Sequence, residues 1–146
     1  MIIDRQLLLS NAQAITVSAV STNTIDLTVA RDIGIGDDME IFVRVVTAFA
    51  GGTSLQFSYI TSANADLSAA NTIVSTPAIP LASLTAGSEW LRIRVPVISQ
   101  AAQVARYVGL AYTAVGTFSA GAVTAGIAMD REASVSYASG LNTNGF

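Results

Sequence analysis

Met39-Glu40-Ile41-Phe42-Val43-Arg44-Val45-Val46, then Ala50-Gly51-Gly52-Thr53, then Leu55-Gln56-Phe57-Ser58-Tyr59-Ile60: this stretch decides the fold class. Apolar residues recur at every second position, the period of a strand with one buried face. Met39, Ile41, Val43 and Val45 share one face, and Glu40, Phe42 and Arg44 point the other way. Leu55, Phe57 and Tyr59 alternate in the same manner with Gln56, Ser58 and Ile60. Gly51-Gly52 supplies the positive φ angles of a tight hairpin, so the two runs are expected to pair antiparallel.

The same grammar extends outward. Leu91, Ile93 and Val95 alternate with Trp90, Arg92 and Arg94. Val108, Leu110 and Tyr112 alternate with Tyr107, Gly109 and Ala111, and Val123, Ala125, Ile127 and Met129 with Ala122, Thr124, Gly126 and Ala128. Weaker strands are expected at 14–20, 24–29 and 72–76 from their β-branched residues. Turn residues punctuate the runs, among them Asn23, Gly34, Gly36, Asn64, Pro77, Pro80, Gly87, Pro96, Gly116 and Gly121. Helix is scarce: 64–71 has room for one turn, and 100–104 is too short to assign. About eight short strands at this spacing predict an all-β fold, a single antiparallel jelly roll or β-sandwich over 1–146. Residues 1–13 and 132–146 lack clean periodicity and read as N- and C-terminal arms.

Composition excludes more than it selects. The chain has 146 residues, of which 51% are hydrophobic and 12% charged, well below the quarter charged in an ordinary domain. It contains 24 Ala, 15 Ser and 14 Thr, so much of its surface is small and neutral. A net charge of −3 argues against nucleic-acid binding. There is no Cys, His or Lys. Disulfides, thiolate zinc sites, His-assisted nucleophiles, Schiff bases and P-loops are thereby excluded from this chain's chemistry. The seven cations are Arg5, Arg31, Arg44, Arg92, Arg94, Arg106 and Arg131. The first ten residues carry Asp4 and Arg5 inside the apolar part and do not read as a signal peptide. The longest small-apolar run, Phe118–Met129, is too short to span a bilayer as a helix.

Gly34-Ile35-Gly36 lacks the third glycine and the helix of a phosphate loop, and reads as a turn. Asp32, Asp37, Asp38 and Glu40 match no calcium-loop spacing; they read as a solvated acidic loop or a contact to a basic partner. Scattered carboxylates leave a glycosidase as a remote option. Trp90, placed by alternation on the face of Arg92 and Arg94, is open to three readings: core packing, a sugar or nucleic-acid platform, or part of an arginine-lined protein interface. For the arginines the interface is favoured, since Arg is enriched there. Tyr112 reads as core, while Tyr107 is open to either face. Ile2, Ile3, Leu7 and Leu8 are apolar yet lie outside the alternating runs, and with Arg5, Arg92, Arg94, Tyr137 and Phe146 they make up the expected interface set. No catalytic, cofactor or metal residue is assigned.

A resemblance rests on short motifs in a fixed order. They are Met-Ile-Ile-Asp-Arg-Gln-Leu-Leu-Leu-Ser (1–10) with Ala12-Gln13-Ala14-Ile15, Asn23-Thr24-Ile25-Asp26-Leu27, Ala30-Arg31-Asp32-Ile33-Gly34, Gly52-Thr53-Ser54-Leu55, Ile79-Pro80-Leu81, Arg106-Tyr107-Val108-Gly109-Leu110, and Gly116-Thr117-Phe118-Ser119-Ala120-Gly121. Up to about Arg131 the chain resembles the small jelly-roll capsid cement (decoration) proteins of tailed bacteriophages, the kind known from a Bordetella phage. The resemblance implies a non-enzymatic virion protein without cofactor, made in the bacterial host cytoplasm and carried on the outer surface of the head. It implies as partners an HK97-type major capsid protein and other copies of itself, and neither nucleic acid nor membrane. A dimer is expected slightly ahead of a trimer, because a twofold axis between capsomers calls for an isologous contact, the commonest kind. A jelly-roll edge is expected to offer a template for a neighbour's extended arm. The alternative from the residues is a carbohydrate-binding jelly roll of a phage fibre or lectin-like protein.

Overall fold

A computed structural model describes residues 4–34 and 39–129. Among them are ten strands: β1 (Leu8–Ala14), β2 (Ala19–Val20), β3 (Ile25–Asp26), β4 (Met39–Gly51), β5 (Ser54–Ser62), β6 (Asn71–Ser75), β7 (Ile79–Pro80), β8 (Glu89–Arg94), β9 (Tyr107–Val115) and β10 (Phe118–Met129). The only helical pieces among the described residues are single 3-10 turns at Arg5–Leu7, Leu81–Ser83 and Ala101–Gln103. The all-β expectation holds, with two more strands than the eight anticipated.

Two antiparallel sheets form. One has the order β1-β10-β4-β8; the other has β2-β9-β5-β6, with β3 paired to β9 and β7 to β5. Taking β3 as a continuation of β2 along β9, and β7 of β6 along β5, eight positions remain. Ranked along the chain, the sheets read 1-8-3-6 and 2-7-4-5. That nesting is the double Greek key of a jelly roll.

This topology corrects the hairpin expected at Gly51-Gly52. Both glycines do have positive φ, +85° and +24°. However, β4 pairs with β10 and β8, whereas β5 pairs with β9, β6 and β7. The glycines turn a corner between sheets. They lie against the matching corner from β9 to β10: Gly52 N donates to Thr117 O at 2.9 Å and Thr53 N to Val115 O at 2.8 Å. A Cβ on Gly52 would run into the Phe118 ring, so the corner needs glycine for space as well as for φ.

The N-terminal arm needs a correction too. Residues 8–13, read from sequence as part of an arm, belong with Ala14 to β1 and pair with β10. Leu9 is fully buried in the core. The strand expected at 14–20 is reduced to β2. The stretch 64–71 makes turns and no helix, while 100–104 contributes the 3-10 turn Ala101–Gln103. Positions 132–146, Ile2 and Ile3 lie outside the described residues.

The core sits between the sheets. Leu9, Ile41, Val43, Val45, Val123, Ala125 and Ile127 from one sheet meet Leu55, Phe57, Tyr59, Val108, Leu110 and Tyr112 from the other. Phe57 and Tyr112 pack edge to face at 5.9 Å, and Phe49 and Phe118 at 5.0 Å. Each such pair adds about 0.5–1.5 kcal/mol beyond its area burial. The buried Tyr112 hydroxyl is satisfied by Ser10 Oγ at 2.7 Å, which also links the two sheets. Burial pushes the Tyr112 phenol well above its ordinary range, so it stays neutral. On the far side of the second sheet, Leu67 from the β5–β6 loop seats over Gly109, where a Cβ would collide with it.

Candidate functional site

The charged side chains gather on the outer face of the four-stranded sheet, along β4 and β8. Their placement depends on one irregularity. Val43 pairs with Trp90 and Ile41 with Ile93, so Leu91 and Arg92 together oppose Phe42. This is a β-bulge, with Leu91 in the left-handed region at φ +51°. The bulge turns Trp90 to the side of Val43, where it packs against the core, and its Nε1 donates to Ser88 Oγ at 3.2 Å. The expectation that Trp90 shares a face with Arg92 and Arg94 is therefore overturned. A simple period of two has no means of foreseeing an extra residue.

Arg92 and Arg94 stay outside. Arg92 Nε lies 3.7 Å from Glu40 Oε2, and Arg94 stands directly across from Glu40 in the ladder. Arg44 and Glu89 form the next charged rung. Glu40 Oε2 is itself buried and makes no hydrogen bond among the described residues; the Arg92 guanidinium at 3.7 Å supplies its opposite charge. The face thus alternates in sign: Glu40 between two arginines, then Arg44 beside Glu89. Phe42, assigned from sequence to the same outward face, is nevertheless buried.

A second charged feature was not foreseen. Arg106 binds Asp26 through two parallel hydrogen bonds, Nε to Oδ1 at 2.7 Å and Nη2 to Oδ2 at 2.8 Å. Thr28 N also donates to Asp26 Oδ1 at 2.7 Å, and the guanidinium lies 5.1 Å from the centre of the Tyr107 ring. The Arg106 hydrogen bond, followed by that from Thr28, pulls the Asp26 carboxyl from 3.8 down to about 2. Only the pairing of β3 with β9 brings these two residues together, so no local motif signals it. A carboxyl depressed in the folded state stabilises fully above its unfolded value, and the benefit fades as pH falls towards the folded one. Asp26→Asn is expected to lower stability above pH 4, with the difference from wild type vanishing towards pH 2. Because both side chains are more than 40% exposed, added salt is expected to shrink the difference as well. Denaturation midpoints across pH and salt check this.

An open groove of about 960 Å³ runs between Asp4–Leu8 and Thr22–Asp26. Arg5, Leu7 and Leu8 of the expected interface set line it; Arg5 is exposed, and Leu7 and Leu8 are half-buried. Its two carboxylates are engaged in holding backbone. Asp4 accepts from Gln6 N at 3.0 Å, and Asp26 holds Thr28 and Arg106. Asp32, from the acidic stretch, accepts from Gly34 N at 2.8 Å and Ile98 N at 2.9 Å, tying two loops together. Asp37 and Asp38 lie outside the described residues, as do Tyr137 and Phe146. Among the described residues, no three carboxylates are grouped as metal ligands.

Residues 9–127 match the model of the family described as Bbp16, which takes in the jelly roll from β1 into β10. No curated protein matches the chain.

Proposed function

The chain belongs to the Bbp16 family, and from that membership we propose that it is a structural protein of a phage particle. In this reading it decorates the outside of an icosahedral head and cements neighbouring capsomers of an HK97-type major capsid protein against the pressure of packaged DNA. The carrying observation is the family match over the whole sandwich, which accords with the Bordetella-phage resemblance of the motifs. The chemistry supports it. The chain has no His, Cys or Lys, and the carboxylates Asp4, Asp26 and Asp32 are engaged in fixing loops. What the surface does offer is an alternating-charge face on a rigid sheet, suited to a protein partner rather than to catalysis. Many weak identical contacts become strong on a repeating shell. The protein associates with itself there, as a dimer in preference to a trimer. The alternative, a sugar-binding module, loses its aromatic platform because Trp90 packs on the core side of the bulge.

Mixing the full chain with heads that lack it tests the proposal. Cryo-electron microscopy is expected to show saturating extra density on the outer surface. The coated heads are expected to release DNA at a higher temperature. Heads that stay bare at saturating protein would overturn the reading.

A further inference from the structure

The edge strands β1, β6 and β8 and the open side of β9 each carry a device that disfavours a further strand. At β1, the ladder to β10 slips twice, between Leu8 and Ser10 and between Ser10 and Gln13, and Ala12 is left-handed at φ +47°. The edge is also stapled. Asn23 N donates to Leu9 O at 2.9 Å, Asn23 Nδ2 donates to Leu8 O at 3.1 Å, and Gln13 Nε2 reaches across to Val20 O at 2.8 Å. An incoming strand at β1 finds the Leu8 and Leu9 carbonyls taken.

Along β9, the segment running from Ser18 to Leu27 covers the edge. Ala114 N donates to Ser18 Oγ, Ser21 N to Leu110 O, Leu110 N to Ser21 Oγ, and Leu27 N to Arg106 O. It offers only the two-residue strands β2 and β3 in return. At β6 the register slips where Val74 pairs with Tyr59 but Thr72 pairs with Ile60, so Ile73 bulges out of an edge strand of five residues. At β8 the Leu91 bulge is followed by Arg92 and Arg94. Bulges twist an edge away from a flat template, and charges on an edge strand must be desolvated by any strand laid beside it.

We infer that the sandwich is guarded at its sheet edges against strand addition. Contacts between copies are made by side chains on its faces and ends. This inference runs against the expectation that an edge serves as template for a neighbour's arm, and the following test decides between the two. The inference concerns the isolated chain, so it stands or falls independently of the capsid reading.

The arginines of β8 provide the test. Arg92→Thr with Arg94→Thr removes the charged guard, and Arg5→Thr with Arg31→Thr removes two arginines that lie outside the strands. Both double variants take the formal net charge from −3 to −5. By net charge alone, either is expected to become more soluble. The β8 variant is instead expected to form thioflavin-positive assemblies with a lag at least tenfold shorter than that of wild type or of the control. If the β8 variant behaves as the control does, the guard is refuted. A measurement on the unaltered protein covers the case of a misfolded variant. Amide exchange at 71–75, an edge strand away from the charged face, is expected to stay constant as rising concentration drives self-association. Protection that grows with concentration at that strand overturns the inference.

Discussion

Replacing Leu9 by alanine is expected to cost about 2–5 kcal/mol of folding stability, the range for a fully enclosed leucine truncated in a core. Leu9 has no solvent exposure, and its strand pairs with β10 beside Val123 and Ala125. The arm expected from sequence would predict almost no cost, because an arm residue is solvated in the isolated protein. Urea denaturation separates the two directly. A midpoint that falls at constant slope marks lost stability with an unchanged denatured state. An unmoved midpoint would return 8–13 to the status of an arm. The same geometry changes what truncation does. Removing 1–9 takes away a core side chain and the start of a strand, so it is expected to unfold the protein rather than merely loosen it from a partner.

Most of the framework was legible because its long strands place a large apolar side chain in the core at every second position. β4, β5, β9 and β10 declare themselves through Ile41-Val43-Val45, Leu55-Phe57-Tyr59, Val108-Leu110-Tyr112 and Val123-Ala125-Ile127. β1 was not legible. Its centre, Ser10-Asn11-Ala12-Gln13, is polar or small, and two register slips erase the alternation. Ser10 faces the core only because Tyr112 supplies a hydroxyl partner across the sandwich. That contact lies between residues 102 positions apart, beyond the reach of any window. Pairing partners were illegible for a related reason. Gly51-Gly52 specifies a turn but not which sheet the chain enters afterwards. That is fixed by which strands bury which faces together.

For the charged site, sequence named the arginines and missed their setting. Alternation about Leu91, Ile93 and Val95 correctly sent Arg92 and Arg94 outward. It also sent Trp90 with them, an assignment undone by one left-handed residue at Leu91. Glu40 was legible only as one member of an acidic run. Its role as the carboxylate between two arginines emerges from the β4–β8 register, where Arg94 faces it and Arg92 reaches its Oε2. The Asp26–Arg106 fork was invisible for want of any sequence signal linking β3 to β9.

Reversing the charge at that face gives the largest expected effect on assembly. Arg92→Glu with Arg94→Glu replaces the cations around Glu40 by carboxylates, so three like charges share the end of the sheet. Arg92 is 37% exposed at its side chain, so its pair with Glu40 contributes only about 0–1 kcal/mol to the isolated fold. The penalty in a contact is larger. An arginine desolvated against a partner carboxylate loses about 2–5 kcal/mol when its charge is taken away. Reversal adds repulsion to that loss. Binding to bare heads is therefore expected to weaken at least tenfold at low salt. Because the Debye length shortens from about 30 Å at 0.01 M to about 10 Å at 0.1 M, the gap between wild type and variant is expected to narrow as salt rises. Arg92→Gln with Arg94→Gln removes the charge without adding repulsion and is expected to fall between the two. A parallel urea titration of each variant keeps folding apart from binding. If the reversed variant coats heads as wild type does across the salt series, this face is merely solvated and the contact lies elsewhere on the sandwich.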